Sequence, residues 1–156
     1  MPLVSAMAAS HAPNILLEPG PEWEDFMDLH YSMAPQGSAS RPTLEQQKKL
    51  RQDAEAAFAA LRTDLEQSQP DVLIVVANDQ FVNFFWNNIP TFFVTLAEEV
   101  QGQFTRHKFH YRNHKELGRE IVRAGMQKGI DFSFGEHVEL QHTQNVPLYF
   151  LLPEPK

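Results

Sequence analysis

Residues Pro70–Val94 read PDVLIVVANDQFVNFFWNNIPTFFV. The run Val72-Leu73-Ile74-Val75-Val76 is apolar and β-branched, which suits a buried strand. Asn78-Asp79-Gln80 breaks it with turn-forming polar residues. Phe81, Phe84, Phe85 and Trp86 follow, then a second apolar run, Phe92-Phe93-Val94. The stretch predicts a central strand that delivers polar side chains at its carboxyl end, beside an aromatic wall. Ligands of open α/β sheets collect at such ends. Asp79 and Gln80 are therefore candidate contacts to a substrate or metal. The competing reading is a turn in which Asn78 and Asp79 bond their own backbone.

Outward from this stretch, the neighbours read as alternating strand and helix. Leu3–Ala9 predicts a short buried strand, ending in the turn Ser10-His11-Ala12-Pro13-Asn14. Ile15–Ser40 reads as irregular, broken by Pro19, Pro21 and Pro35, with a short helix over 23–29. Gln36–Ser40 reads as a linker, and the whole excursion as a substrate lid or a plain surface loop. Thr43–Ser68 is the clearest helix. Thr43 and Gln46 can form a capping box, and Leu50, Ala54, Ala57, Phe58, Leu61 and Leu65 form one apolar stripe.

Beyond Val94 the pattern continues. Phe92–Thr95 predicts a strand and 98–103 a loop. Asn113–Lys128 predicts a helix capped by Asn113 with Glu116, apolar along Leu117, Ile121, Ala124 and Met126. Ile130, Phe132 and Phe134 alternate as in a strand. Val146–Leu152 suits a helix or a strand, with Pro147 fitting a first helical turn. The expected class is α/β, a mixed, mostly parallel sheet flanked by helices, with 1–156 as a single domain.

Composition narrows the function. The 156 residues are 42% hydrophobic, carry a formal net charge of −7 and include no cysteine. A nucleic-acid or anionic-membrane partner is not expected, and disulfide, thiolate and Cys-type zinc chemistry are excluded. No apolar run approaches the roughly 20 residues of a membrane span. Met1–Ala9 lacks a basic start, so no signal peptide is read and a cytoplasmic location is expected. Serine-hydrolase, NTPase and dinucleotide motifs are absent.

Seven histidines invite metal or acid–base readings. His107, His110 and His114 would share a face on a helix, but the helix begins near Asn113. A solvated basic patch with Arg106, Lys108 and Arg112 is the better reading. Glu136, His137, Glu139 and His142 form a second cluster. There Gln141-His142-Thr143 precedes an apolar segment, and a helix start could aim an imidazole and backbone amides at an anion.

Three stretches together resemble one family. Ser10-His11-Ala12-Pro13 is similar to the SH-x-P turn of class III extradiol ring-cleavage dioxygenases of the protocatechuate-cleaving catalytic-subunit type. Pro70–Val72, Asn78–Gln80, Asn83–Phe85 and Ile89–Phe92 resemble the second motif, in which a strand ends in an Asp-His pair. Gly129–Phe132, Gln141–Thr143 and Val146–Leu148 resemble the third. The resemblance implies ferrous iron held by two histidines and a glutamate, with open positions for a catecholate and dioxygen.

By that resemblance His11 is the first iron ligand, and His142 is the catalytic histidine facing substrate and oxygen. Gln80 stands where the second histidine ligand is expected. Asp79, Phe84 and Thr143 are expected against the substrate, a small aromatic acid. The family's core is nearly twice as long and draws its glutamate and another histidine from its C-terminal half. This chain is therefore expected to match the N-terminal part, as a homo-oligomer or a hetero-oligomer with a related chain. A metal-free partner subunit and an aromatic-acid binding module of the same fold are the alternatives.

Overall fold

The computed structural model describes residues 2–32 and 41–152. The linker read at 36–40 lies outside them. The elements are a 3-10 turn at Pro13–Leu16, then α1 (Pro21–Ser32), α2 (Leu44–Ser68), β1 (Phe92–Thr95), β2 (Glu99–Phe104) and β3 (His107–Arg112). They continue with α3 (Lys115–Gln127), β4 (Phe132–Gly135), β5 (Glu139–Leu140) and α4 (His142–Leu151). The class is α/β with mixed pairing. β1 pairs in parallel with β4, and β2 lies between antiparallel β3 and parallel β5.

The expected central strand is the main correction. Val72–Val76 belongs to no ladder, and Val76 is 91% exposed. Leu3–Ala9 is likewise outside any strand, with Leu3 86% exposed. A β-branched run favours extended backbone, but a strand also needs a neighbour for its N–H and C=O groups. Among the described residues neither run has one.

The parallel βαβ unit lies further along the chain than expected. It is β1, α3, β4, with register Phe92 to Phe132 through Thr95 to Gly135. α3 presents Gly118, Val122 and Gly125 to the interior, while Ala124 and Met126 are exposed. The expected apolar side holds at Leu117 and Ile121, which are half-buried beside Gly118 and Val122, and fails at Ala124 and Met126, because Gly125 is the residue that faces the Phe132 ring. The cap also moves by one residue. His114 Nδ1 accepts from Leu117 N at 3.2 Å, and Asn113 Nδ2 instead donates to Ala97 O at 2.7 Å.

The predicted loop at 98–103 is strand β2, which forms a tight hairpin with β3. Its alternation buries Val100 and faces Gln101 and Gln103 outward, so the glutamines belong to a solvated strand face. Gly102 allows the crossing beneath it: a Cβ there would lie 2.1 Å from Leu140 O and 2.7 Å from Asn145 Nδ2.

α2 matches its reading closely. Thr43 Oγ1 accepts from Gln46 N at 3.3 Å, and Gln46 Oε1 accepts from Thr43 N at 2.8 Å. Its stripe is narrower than predicted. Phe58 and Leu65 are buried, Ala54 and Leu61 partly so, and Ala57 and Leu50 are exposed. α2 packs on α4 rather than on a sheet. Phe58 and Phe150 stack with ring centroids 4.6 Å apart. Ile15, Leu16, Phe109, Val146 and Leu151 complete this core. α4 also meets the β2–β3–β5 sheet, with Leu148 against Val100 and Leu140. Pro147 falls inside α4 rather than in its first turn, since the helix begins at His142.

Candidate active site

His142 opens α4, directly after β5. Gln141 N donates to Gln144 Oε1 at 3.0 Å, which fixes the helix start. Two further links hold that start against the segment 78–84. Thr143 Oγ1 is 2.8 Å from the Asn78 carbonyl oxygen and 2.8 Å from Gln144 Oε1. Asn83 pairs with the Glu139 backbone as a strand would, donating from Nδ2 to Glu139 O and accepting from Glu139 N, both at 2.9 Å. A buried hydroxyl and a fully engaged amide thus join the polar end of the predicted central strand to α4.

His11 arrives from the other end of the chain. Ser10 Oγ accepts from Ala12 N at 3.3 Å, and Pro13 starts the 3-10 turn, so His11 sits on a shaped corner. Its ring stands 5.9 Å from that of His142, centroid to centroid, tilted by 40°. Phe104, at the end of β2, lies 6.2 Å from the His142 ring, with Phe26 of α1 6.1 Å beyond it. His11 is exposed and His142 half-buried. The result is an open corner with two imidazoles and an aromatic side.

The remaining predicted residues are distributed differently. Gln80 is exposed, two residues beyond the anchored Asn78. The Asp79 carboxylate turns into its own loop and accepts from Val82 N (3.1 Å), Asn83 N (3.2 Å), Asn83 Nδ2 (2.8 Å) and Phe84 N (3.2 Å). Burial pushes its pKa up, but the bonds from Asn83, Phe84 and Val82 hold it below the usual aspartate range. Phe84 packs its ring on Phe93 at 4.8 Å, on the β1 side. The exposed rings of Phe81 and Trp86 lie 4.5 Å apart, tilted by 38°.

The three closely spaced histidines do separate jobs. His107 Nε2 meets Leu16 O at 3.2 Å, His110 Nε2 meets Glu99 Oε2 at 3.0 Å, and His114 caps α3. In a strand, His107 and His110 project to opposite faces. Glu136 is engaged by Lys115, which lies 2.8 Å away and holds its carboxyl below the ordinary range.

The sequence reading did not single out Phe104 or Asn83 as site residues. Phe104 ends a strand read as a loop, and only its alternation with Val100 and Gly102 could have marked it. Asn83 enters the sequence reading only as part of the Asn83–Phe85 stretch of the second motif, because nothing local indicates its distant partner.

The model of the family described as the catalytic LigB subunit of aromatic ring-opening dioxygenase matches residues 5–156. The chain belongs to this family. Curated members of similar sequence are 2,3-dihydroxyphenylpropionate/2,3-dihydroxicinnamic acid 1,2-dioxygenases. That of Mycobacterium sp. (strain MCS) is 23% identical over 101 residues, 65% of this chain and 32% of the relative. That of Rhodococcus jostii (strain RHA1) is 22% identical over 90 residues, 58% and 29% of the two chains. The second such enzyme of Dechloromonas aromatica (strain RCB) is 25% identical over 100 residues, 64% and 32%. The match therefore covers about a third of the relatives' length.

The ring-opening dioxygenase family is generally metal-dependent, so this chain's donors need testing against an iron centre. Among the described residues no group of three or more His, Cys, Asp or Glu side chains is gathered to hold a metal ion. His11 and His142 offer two imidazoles, Gln80 an amide, and the Asp79 carboxylate is already engaged by four N–H groups. By themselves these residues do not fit a two-histidine, one-carboxylate centre. Among the described residues no helix is long and apolar enough to cross a membrane.

Proposed function

We propose that this chain takes part in extradiol cleavage of a catecholic aromatic acid by dioxygen, with its site at the His11–His142 corner. The observation that carries the reading is the approach of these two rings, one from each end of the chain, to 5.9 Å beside Phe104. An imidazole can both accept and donate a proton, so His142 is suited to move one to or from a phenolic oxygen. Thr143 and Asn83 position it through the 78–84 segment, and Phe104 bounds the space for an aromatic ring. The relatives' substrates point to 2,3-dihydroxyphenylpropionate or a similar catechol bearing a carboxylate side chain.

Ferrous iron is the metal of this proposal, with His11 as a ligand and Gln80 at the position of a second one. The missing donors then come from polypeptide beyond the described residues. On this reading residues 1–156 form one α/β domain, equivalent to the N-terminal part of the family's catalytic domain. The working form is cytoplasmic and is a homo-oligomer or a hetero-oligomer with a related chain. The unpaired run 72–76 and the exposed Trp86 support such covering, because apolar surface of this kind is usually buried against other polypeptide.

The test is oxygen uptake after anaerobic ferrous reconstitution of the assembly that holds this chain together with the polypeptide supplying the missing donors, with protocatechuate and with 2,3-dihydroxyphenylpropionate. His142→Ala is expected to slow turnover by about 10²–10⁴-fold. No uptake with either catechol, or full activity in His142→Ala, overturns the reading. Gln80→His is expected to tighten ferrous binding, measured by anaerobic titration. An unchanged affinity would remove Gln80 from the ligand set.

A further inference from the structure

A cavity of about 480 Å³ lies between the 3-10 turn, α2, the β2–β3 hairpin and α4, and neither His11 nor His142 lines it. We infer that this cavity is a second small-molecule site, which binds an aryl or arylalkyl monocarboxylate. Its volume falls within the range of ordinary ligand pockets. Tyr149, the lining residue on α4 closest to solvent, comes seven residues after His142. At 1.5 Å per residue the two are separated by roughly 10 Å along the helix.

The cavity wall is apolar and aromatic on one side. Leu16 and Phe150 are buried there, and the half-exposed Tyr149 ring stands edge-on to Phe150 at 5.1 Å and to His107 at 5.3 Å. The other side is cationic. Arg51, Arg62 and Arg106 all line the cavity, against Glu18 and Glu55. Both carboxylates are already paired, since Arg51 lies 3.0 Å from each. Arg106 pairs with Glu22 and lies 3.8 Å from Glu18.

Arg62 differs from both. Its Nε donates to Phe150 O at 2.8 Å and one terminal nitrogen bonds the same oxygen. That acceptor is a neutral carbonyl, and among the described residues no carboxylate pairs with Arg62. Among the described residues its other terminal nitrogen has no acceptor, which leaves its protons for a ligand. A half-buried guanidinium held in place, with no counter-charge among the described residues, selects an anion, and a carboxylate matches its geometry. The adjoining aromatic wall selects a carboxylate with a flat apolar body. The inference does not depend on the ring-cleavage reading.

The test is an amide-resolved NMR titration of the 156-residue chain with benzoate and 3-phenylpropionate, using benzyl alcohol as the uncharged control. Saturable shifts are expected at residues 106–107 and 149–151, with benzyl alcohol at least tenfold weaker. Arg62→Gln is expected to weaken benzoate binding about tenfold. Because Arg62 also secures the end of α4, Ala59→Phe provides the independent variant. Ala59 is exposed on α2 and lines the cavity, so a phenyl group there fills the space without removing a native contact. It is expected to abolish binding with an unchanged thermal midpoint. Equal affinity for benzyl alcohol, wild-type benzoate affinity in Ala59→Phe, or shifts centred on His11 and His142 would each overturn the inference.

Discussion

The Asp79 carboxylate ends a run that announces a site, yet its acceptor capacity goes to three backbone N–H groups and the Asn83 amide. Its role is to fold the 79–84 turn so that Asn83 reaches Glu139 and β5 delivers His142. Replacing Asp79 with Ala is expected to cost about 1–2 kcal/mol, the range for charge-assisted bonds at a partly exposed site, measured by urea unfolding. The pH dependence has a definite sign. The folded pKa is lowered, so the contribution is present above the unfolded value of about 3.9 and is lost as pH falls through the folded one. The stability gap between wild type and Asp79→Ala should therefore be constant from pH 7 to about 5 and should close at lower pH. A gap that persists at pH 2 would show that the charge is not what holds the turn.

Two glycines decide how closely elements approach, and they are not equivalent. A Cβ on Gly102 would meet backbone, 2.1 Å from Leu140 O, in the parallel pairing that joins β5 to β2. A Cβ on Gly125 would meet the Phe132 ring, 2.1 Å from its Cε2, and a half-buried ring can rotate or shift. Overpacking typically costs about 1–3 kcal/mol. Gly102→Ala should lie at or above the top of that range and Gly125→Ala near the bottom, as read by thermal unfolding. The Gly102 variant should also disturb His142, because β5 leads directly into α4. Broadened His142 ring signals in an NMR spectrum would report this. The α2–α4 contact is a packing case of another kind: Phe58→Ala removes one ring of the 4.6 Å stack and should cost about 3–5 kcal/mol.

At the scale of the whole molecule, the apolar content is unevenly buried. One core surrounds Phe58, Phe109, Val146 and Phe150, while Val76 and Trp86 are 91% and 83% exposed. A run outside any ladder among the described residues, with exposed apolar side chains, favours strand addition or self-association. Val76→Lys should therefore reduce the sedimentation coefficient of any oligomer. It should change monomer stability by no more than about 0.5 kcal/mol, as for other exposed positions. Unchanged assembly in this variant would mean that the run 72–76 is not part of the contact.

Local physics made several features legible in the sequence. The Thr43–Gln46 capping box and the start of α2 follow from side chains within one turn of each other. The β1 and β4 runs and the apolar character of α4 follow from residue type and spacing. The resemblance to the family, read from three short stretches, agrees with a family model that matches residues 5–156. Partner choice was decided only by the tertiary structure. Among the described residues the most strand-like run, Val72–Val76, is unpaired, whereas the glutamine-rich 99–104 segment pairs on both sides. The same holds for the approach of His11 to His142, and for the loop that claims the Asp79 carboxylate. Propensity, caps and turns act between residues close in the chain. A ladder, a ring contact or a bond such as Asn83 to Glu139 requires a second segment, whose arrival depends on how the whole chain packs.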